Sequence, residues 1–214
     1  MSVKEQLDQT KEGFIATAPA EVQSEIFRHI QEQQQSGIIF GLKEGDKAPN
    51  FTLANPLGEP VNLYDELAKG PVVLTFYRGS WCPFCNIQLR AYQQLLPEIE
   101  KLGGQLIAVT PQSPDNSLSH KEKEELTFQV LSDSNGRVVD SYKILYEVPD
   151  YLQDVFKNKF GLDLTEFNKT DRWILPVPAT FIIDKEGIVR RAHVNPDFMK
   201  RMESQEIIDQ LQKL

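Results

Sequence analysis

Val72-Val73-Leu74-Thr75-Phe76-Tyr77-Arg78-Gly79-Ser80-Trp81-Cys82-Pro83-Phe84-Cys85 joins a nearly continuous β-branched and aromatic run to two cysteines three positions apart. Such a run suits a central strand buried on both faces. It delivers the chain to a proline at the first position of the next helix, where a missing N–H costs nothing. That helix carries Ile87, Leu89, Tyr92, Leu95, Leu96, Ile99 and Leu102 along one stripe and stops at Gly103-Gly104, with a kink expected at Pro97. Cys82 is therefore placed close to the helix N-cap, with Cys85 one turn further in on the same side.

Strand and helix patterns alternate outward from this unit. Leu106 to Thr110 and Phe128 to Leu131 read as further buried strands, separated by a charged helix around Lys121 to Glu125. Ala179 to Asp184, a Lys185-Glu186-Gly187 turn and Ile188 to Ala192 read as a hairpin, and Ile207, Ile208 and Leu211 mark a closing amphipathic helix. Ahead of the central strand, Phe51 to Leu53 and Pro60 to Leu63 alternate as a second hairpin, followed by a short helix from Tyr64 to Lys69. The alternation predicts an α/β fold with a central mixed β-sheet flanked by helices. Residues 1–44 carry two helical patterns split by Ala18-Pro19-Ala20 and form an N-terminal helical extension; residues 45–214 form the main domain. Residues 142–173 are less regular, with a helical stretch around Tyr151 to Phe160, and read as an insertion covering one side of the site.

Bulk properties narrow the function. A chain of 214 residues, 40% hydrophobic and 25% charged, builds a core without covalent staples. A formal net charge of -8 repels phosphate backbones and anionic lipid surfaces, so no nucleic acid and no membrane partner is expected. No apolar run has the length of a membrane span, and the start, Met1-Ser2-Val3-Lys4-Glu5-Gln6, leads into polar residues; the expectation is a cytoplasmic protein. Two cysteines three positions apart staple nothing distant, and His29, His120 and His193 show no ligand-like spacing, so neither a disulfide framework nor a metal site is expected.

The chemistry then falls on the pair. Cysteines of Cys-x-x-Cys motifs at helix starts have thiol pKa values lowered from about 8.5 to roughly 3.5–7.5, because unpaired N–H groups and the helix dipole favour the thiolate. Cys82 is the expected beneficiary, and Cys85 lies where it can close a disulfide with it. Arg78 either stabilises a thiolate or is a solvated surface arginine. Ser80 is placed to donate to the same sulfur, and Trp81 to pack over the pair and limit access of water.

Gly45-Asp46-x-Ala48-Pro49-x-Phe51-x-Leu53, the strand ahead of the cysteines, and Ala179-Thr180-Phe181-Ile182-Ile183-Asp184-x-x-Gly187 together resemble the peroxiredoxin (AhpC/TSA) superfamily over roughly residues 45 to 192. Arg78 to Cys85 resembles its peroxiredoxin-like branch, which keeps both cysteines of the thioredoxin motif. The resemblance implies a thioredoxin-like fold and a thiol peroxidase that needs no cofactor. It implies a small peroxide substrate, hydrogen peroxide or an organic hydroperoxide, and recycling by thioredoxin or a similar thiol donor. Aligned on the peroxiredoxin Pro-x-x-x-Thr-x-x-Cys pattern, Arg78 stands at the proline, Cys82 at the threonine and Cys85 at the peroxide-reacting cysteine. The arginine that peroxiredoxins place before the Thr-Phe-Ile-Ile-Asp strand is replaced by Pro178, which resembles the cis-proline of thioredoxins; the Val177-Pro178 bond is therefore expected to be cis.

Three readings follow. In the peroxidase, a thiolate is oxidised to a sulfenic acid and resolved by the other cysteine. In a disulfide reductase, an exposed Cys82 attacks a substrate disulfide and Cys85 releases it. In a redox-sensing interaction module, the disulfide state gates a partner. Apolar positions on the N-terminal helices serve either intrachain packing or a two-fold contact, which leaves a homodimer open.

Overall fold

The computed structural model describes residues 1–214. Its frame is a seven-stranded sheet. The run quoted above supplies β3 (Val72–Phe76), which is fully buried and lies inside the sheet. It pairs in parallel with β4 (Gln105–Thr110), which pairs in parallel with β5 (Gln129–Ser132). On its other side β3 runs antiparallel to β8 (Ala179–Ile183), and β8 to β9 (Val189–Val194). The hairpin of β1 (Thr52–Ala54) and β2 (Pro60–Asn62) joins the far edge beside β5. The sheet is therefore mixed, as the patterning requires.

Alternate residues of β3 face opposite layers, because side chains of a strand point alternately to its two faces. Val72, Leu74 and Phe76 join one buried cluster with Leu63, Leu67, Tyr142 and Phe181. Val73 and Tyr77 join the other, with Leu89, Tyr92 and Ile99 of α4 (Pro83–Lys101) and Ile207 and Leu211 of α9 (Ser204–Leu211). Each large apolar side chain buried this way contributes roughly 1.5–3 kcal/mol, and both layers bear on the strand that carries the cysteines.

The first two helices are α1 (Val3–Thr17), begun by a Ser2/Glu5 capping box, and α2 (Ala20–Gln35). They break at Ala18-Pro19, and α1 packs against α4. α3 (Leu63–Leu67) is capped by Asn62. α4 continues through Pro97 without interruption, so the proline does not end the helix. α5 (Pro114–Lys123) starts well before the charged stretch that announced it, because Ser113 caps the Asn116 N–H and Pro114 takes the first helical position. Beyond α6 (Arg137–Ser141), a two-stranded ribbon that the patterning did not predict frames the 142–173 segment, β6 (Leu145–Glu147) within it pairing with β7 (Ile174–Pro176) just past its end. Between its strands lie α7 (Asp150–Asp154), a π-helical turn (Val155–Lys159) and α8 (Leu164–Asn168).

One expectation fails outright: every peptide bond is trans, including Val177-Pro178. The Val177 N–H donates to the Ile144 carbonyl at 2.7 Å, and the chain passes extended from β7 into β8. The trans isomer, favoured by about 0.5–1 kcal/mol, meets no obstacle there.

Candidate active site

Cys82 occupies the N-cap of α4, and its Sγ accepts the Cys85 backbone N–H at 3.4 Å. Pro83 sits at the first helical position, exposed. The two Sγ atoms are 2.8 Å apart, both as thiols, and both side chains are completely buried. An exposed Cys82 is thus corrected: the loop of Arg78 to Trp81 closes over it. Trp81 is half-buried, with its ring 5.4 Å from that of Phe156.

Two guanidinium groups meet the sulfurs. Arg78 is buried, not a solvated surface arginine, and its Nη2 donates to Cys82 Sγ at 3.2 Å. It is held between the rings of Phe198, 3.7 Å away, and Trp81, 5.0 Å away. Burial works against its charge, yet the sulfurs and Tyr146 hold its pKa above the ordinary arginine range. Arg201, equally buried, comes from the segment ahead of α9, and its Nη2 donates to Cys85 Sγ at 3.4 Å. Its Nε donates to Gln88 Oε1 at 3.0 Å, while Nη1 reaches the Phe198 and Lys200 carbonyls. Gln88 is fixed in turn by Tyr92 and Thr180, and Thr180 by Thr75 of β3. A buried polar chain therefore runs from the central strand to Cys85, every link satisfied as burial demands.

The titration of the pair follows from these contacts. Burial pushes the Cys85 thiol up, but its hydrogen bond with Cys82 and the cationic Arg201 and Arg78 outweigh it and hold Cys85 well below the ordinary thiol value of 9.0. Cys82 goes the other way: burial, and the hydrogen bond it shares with Cys85, raise it well above that value. The lowering expected at Cys82 thus falls on Cys85. The helix N-terminus and Arg78 favour charge on Cys82, but a second anion 2.8 Å from the first is excluded in a buried site, and both Arg201 and Arg78 act on Cys85.

The remaining residues take supporting places. Ser80 meets the site through its backbone, donating its N–H to Gln112 Oε1 at 2.9 Å and accepting from Asn86 Nδ2 at 2.8 Å; its hydroxyl donates to neither sulfur. Asn86 and Gln112 also bond, respectively, to His120 and Tyr77, which bond to each other, so a second polar network braces the loop. Val177 and Pro178 are buried, and Val177 packs in the layer of Val72, Leu74 and Phe76, not in that of the cysteines. Arg201 and Gln88 escaped the sequence reading. The available signals were a polar residue interrupting the apolar stripe of α4 one turn after Cys85, and an arginine among Phe198, Met199 and Met202.

The chain is similar to several known proteins. The "Putative peroxiredoxin bcp" of Coxiella burnetii is 28% identical over 148 residues, 69% of this chain and 85% of that protein. The "Peroxiredoxin Bcp" of Escherichia coli is 32% identical over 103 residues, 48% of this chain and 65% of that protein. Among solved structures, Peroxidoxin BcpB from Mycobacterium tuberculosis superposes with a TM-score of 0.63 over 81% of this chain and 98% of that one, at 19% identity, a likeness of fold. The AhpC/TSA family matches residues 44–192, well over half of the sequence, and the chain belongs to that family of peroxiredoxin-type oxidoreductases.

Proposed function

We propose that the protein is a thiol peroxidase in which Cys85 attacks the peroxide and Cys82 resolves the product. The observation that carries this reading is the buried sulfur pair, with one thiolate favoured on Cys85 between the Cys82 thiol and two guanidinium groups. Cys85 Sγ donates an electron pair to the terminal oxygen of ROOH, and the O–O bond breaks. The terminal oxygen keeps its hydrogen, giving the sulfenic acid, and the departing alkoxide takes the Cys82 proton to leave as ROH. Arg78 and Arg201 stabilise the charge that develops on oxygen. Cys82, now a thiolate, attacks Cys85 Sγ and expels hydroxide, which takes a solvent proton to become water. The Cys82–Cys85 disulfide stores the two electrons lost, and thioredoxin or a similar dithiol restores both thiols by exchange.

Hydrogen peroxide or organic hydroperoxides are the substrates, and no metal or organic cofactor enters. A reducing cytoplasm suits the cycle, since it keeps the donor reduced. Complete burial of both sulfurs in the reduced protein supports a small oxidant for the oxidative half of the cycle, and the oxidised protein has to expose its disulfide to the dithiol that reduces it. The test is a single-turnover assay of the reduced protein against hydrogen peroxide, cumene hydroperoxide and a protein disulfide. Thiol consumption by a peroxide far faster than by free cysteine, with the protein disulfide slow, is expected; the reverse order establishes a disulfide reductase, and inertness toward all three refutes the peroxidase.

A further inference from the structure

The loop that covers the sulfurs is gripped at both peptide groups of Ser80 by a closed ring of hydrogen bonds. The Ser80 N–H donates to Gln112 Oε1 at 2.9 Å, and Gln112 Nε2 donates to the Tyr77 hydroxyl at 3.1 Å. On the other side the Ser80 carbonyl accepts from Asn86 Nδ2 at 2.8 Å. His120 of α5 joins the two arms, with Nδ1 3.2 Å from the Tyr77 oxygen and Nε2 3.1 Å from Asn86 Oδ1. Tyr77, Gln112 and His120 are buried, and the peroxidase cycle uses none of them.

The backbone fixes the sense of every bond in this ring. A peptide N–H can only donate and a peptide carbonyl only accept. Gln112 therefore turns its oxygen to Ser80 and its amide nitrogen to Tyr77, and Asn86 turns its nitrogen to Ser80 and its oxygen to His120. The Tyr77 oxygen already accepts from Gln112, so its own proton goes to His120 Nδ1, which must be bare. Asn86 Oδ1 cannot donate, so His120 Nε2 must carry a proton. All five bonds then run one way, each polarising the next, and the ring is complete with one form of His120, the neutral Nε2–H tautomer. Burial favours that form and lowers His120 from 6.5. The charged and titratable groups facing it are Lys123 and Glu124 of α5, Arg90 and Cys85 of α4, and Tyr77 just past β3; Arg90 and Glu124 pair with each other at 2.8 Å.

We propose that His120 is a positioning residue for the sulfur pair: neutral, it closes the ring that holds the Arg78–Trp81 loop over Cys82, and protonation at Nδ1 releases that loop. Ser80 lies between Arg78 and Cys82, whose side chains meet at 3.2 Å, so fixing both of its peptide groups fixes that contact and keeps Trp81 over the pair. A proton taken from solvent at Nδ1 removes the acceptor of the Tyr77 hydroxyl and sets two donors against its oxygen. The consequence for catalysis rests on the peroxidase reading; the ring and its tautomer do not.

The test uses the reduced protein and no peroxide. Nitrogen-15 NMR of the wild-type imidazoles, with His120 assigned by its absence in His120→Gln, is expected to show a bare Nδ1 and a protonated Nε2 at pH 7.5. Hydrogen-exchange protection of the Ser80 amide is compared with that of Leu74 in β3, which reports the fold. His120→Leu should lower Ser80 protection about tenfold or more and speed iodoacetamide alkylation of the cysteines, whereas His120→Gln, an amide with one acceptor and one donor to fill the same gap, should stay within about twofold of wild type. Below pH 6.5 wild-type Ser80 protection should fall as His120 titrates and stay level in His120→Gln. An Nδ1–H or charged imidazole at pH 7.5, Ser80 protection untouched by His120→Leu, equal losses in both variants, or the same acid loss in His120→Gln as in wild type overturns the proposal. A protein that shows the tautomer and the rescue yet is inert toward peroxides overturns the peroxidase and leaves the ring standing.

Discussion

Replacing Arg201 by methionine removes the cation that meets Cys85 Sγ at 3.4 Å while keeping most of the side-chain volume. Opposite unit charges at about 4 Å interact by about 4 kcal/mol at an effective dielectric of about 20, a value apt for a residue as buried as Arg201. One pKa unit corresponds to about 1.36 kcal/mol, so the pair charge is worth about 3 units; with Arg78 still in place, a rise of about 2 units in the first thiol ionisation is expected. The rate of alkylation by iodoacetamide against pH reads the midpoint directly. Peroxide oxidation near neutral pH should fall to the extent that the raised midpoint exceeds the assay pH, because only the thiolate reacts. Arg201→Lys should give an intermediate midpoint, since an ammonium keeps charge but not the fork that also reaches Gln88 and two carbonyls. Arg191→Met is the control: its pairs with Glu44 and Glu206 lie at the surface, worth about 0–1 kcal/mol, and should leave the midpoint unmoved. A midpoint in Arg201→Met within a few tenths of wild type refutes the reasoning.

Acid sensitivity is expected to reside partly in His29, which burial and then Arg78 push down from 6.5 to about 4. The folded protein therefore prefers the neutral ring: its contribution is complete above about pH 6.5 and is lost as pH falls from there toward about 4, by about 3 kcal/mol. Urea unfolding at both ends of that window should show the loss in wild type and a flatter profile in His29→Phe, which keeps an aromatic ring on Tyr146; parallel profiles contradict it. Gly79→Ala places a Cβ 2.3 Å from Trp81 Nε1. It should cost about 1–3 kcal/mol in thermal or chemical unfolding and, by displacing Trp81, accelerate alkylation of the pair; unaltered alkylation would mean the indole does not guard the sulfurs.

The fold was legible where one physical signal dominated. The apolar run of β3, the Cys-Pro helix start and the Asp184 to Gly187 turn each announce themselves within a few residues. α5 was misplaced because Ser113-Pro114 reads equally as a turn and as a cap with its first helical residue. The β6/β7 ribbon joins Leu145–Glu147 to Ile174–Pro176 across the insertion, and pairing of such short strands leaves little local pattern. At the site, the cysteines and Arg78 were legible because they share a dozen residues. Arg201 was not, because its role depends on a tertiary approach to Cys85 from far along the chain.

The location of the first oxygen tests the account most directly. Reduced Cys82→Ser and Cys85→Ser proteins are each treated with one equivalent of peroxide, the sulfenic acid is trapped with a dione reagent, and the peptides are analysed by mass spectrometry. The structure predicts trapped sulfenic acid on Cys85 in Cys82→Ser and none on Cys82 in Cys85→Ser at a comparable rate. Oxygen accumulating on Cys82 while Cys85 stays unmodified would contradict it.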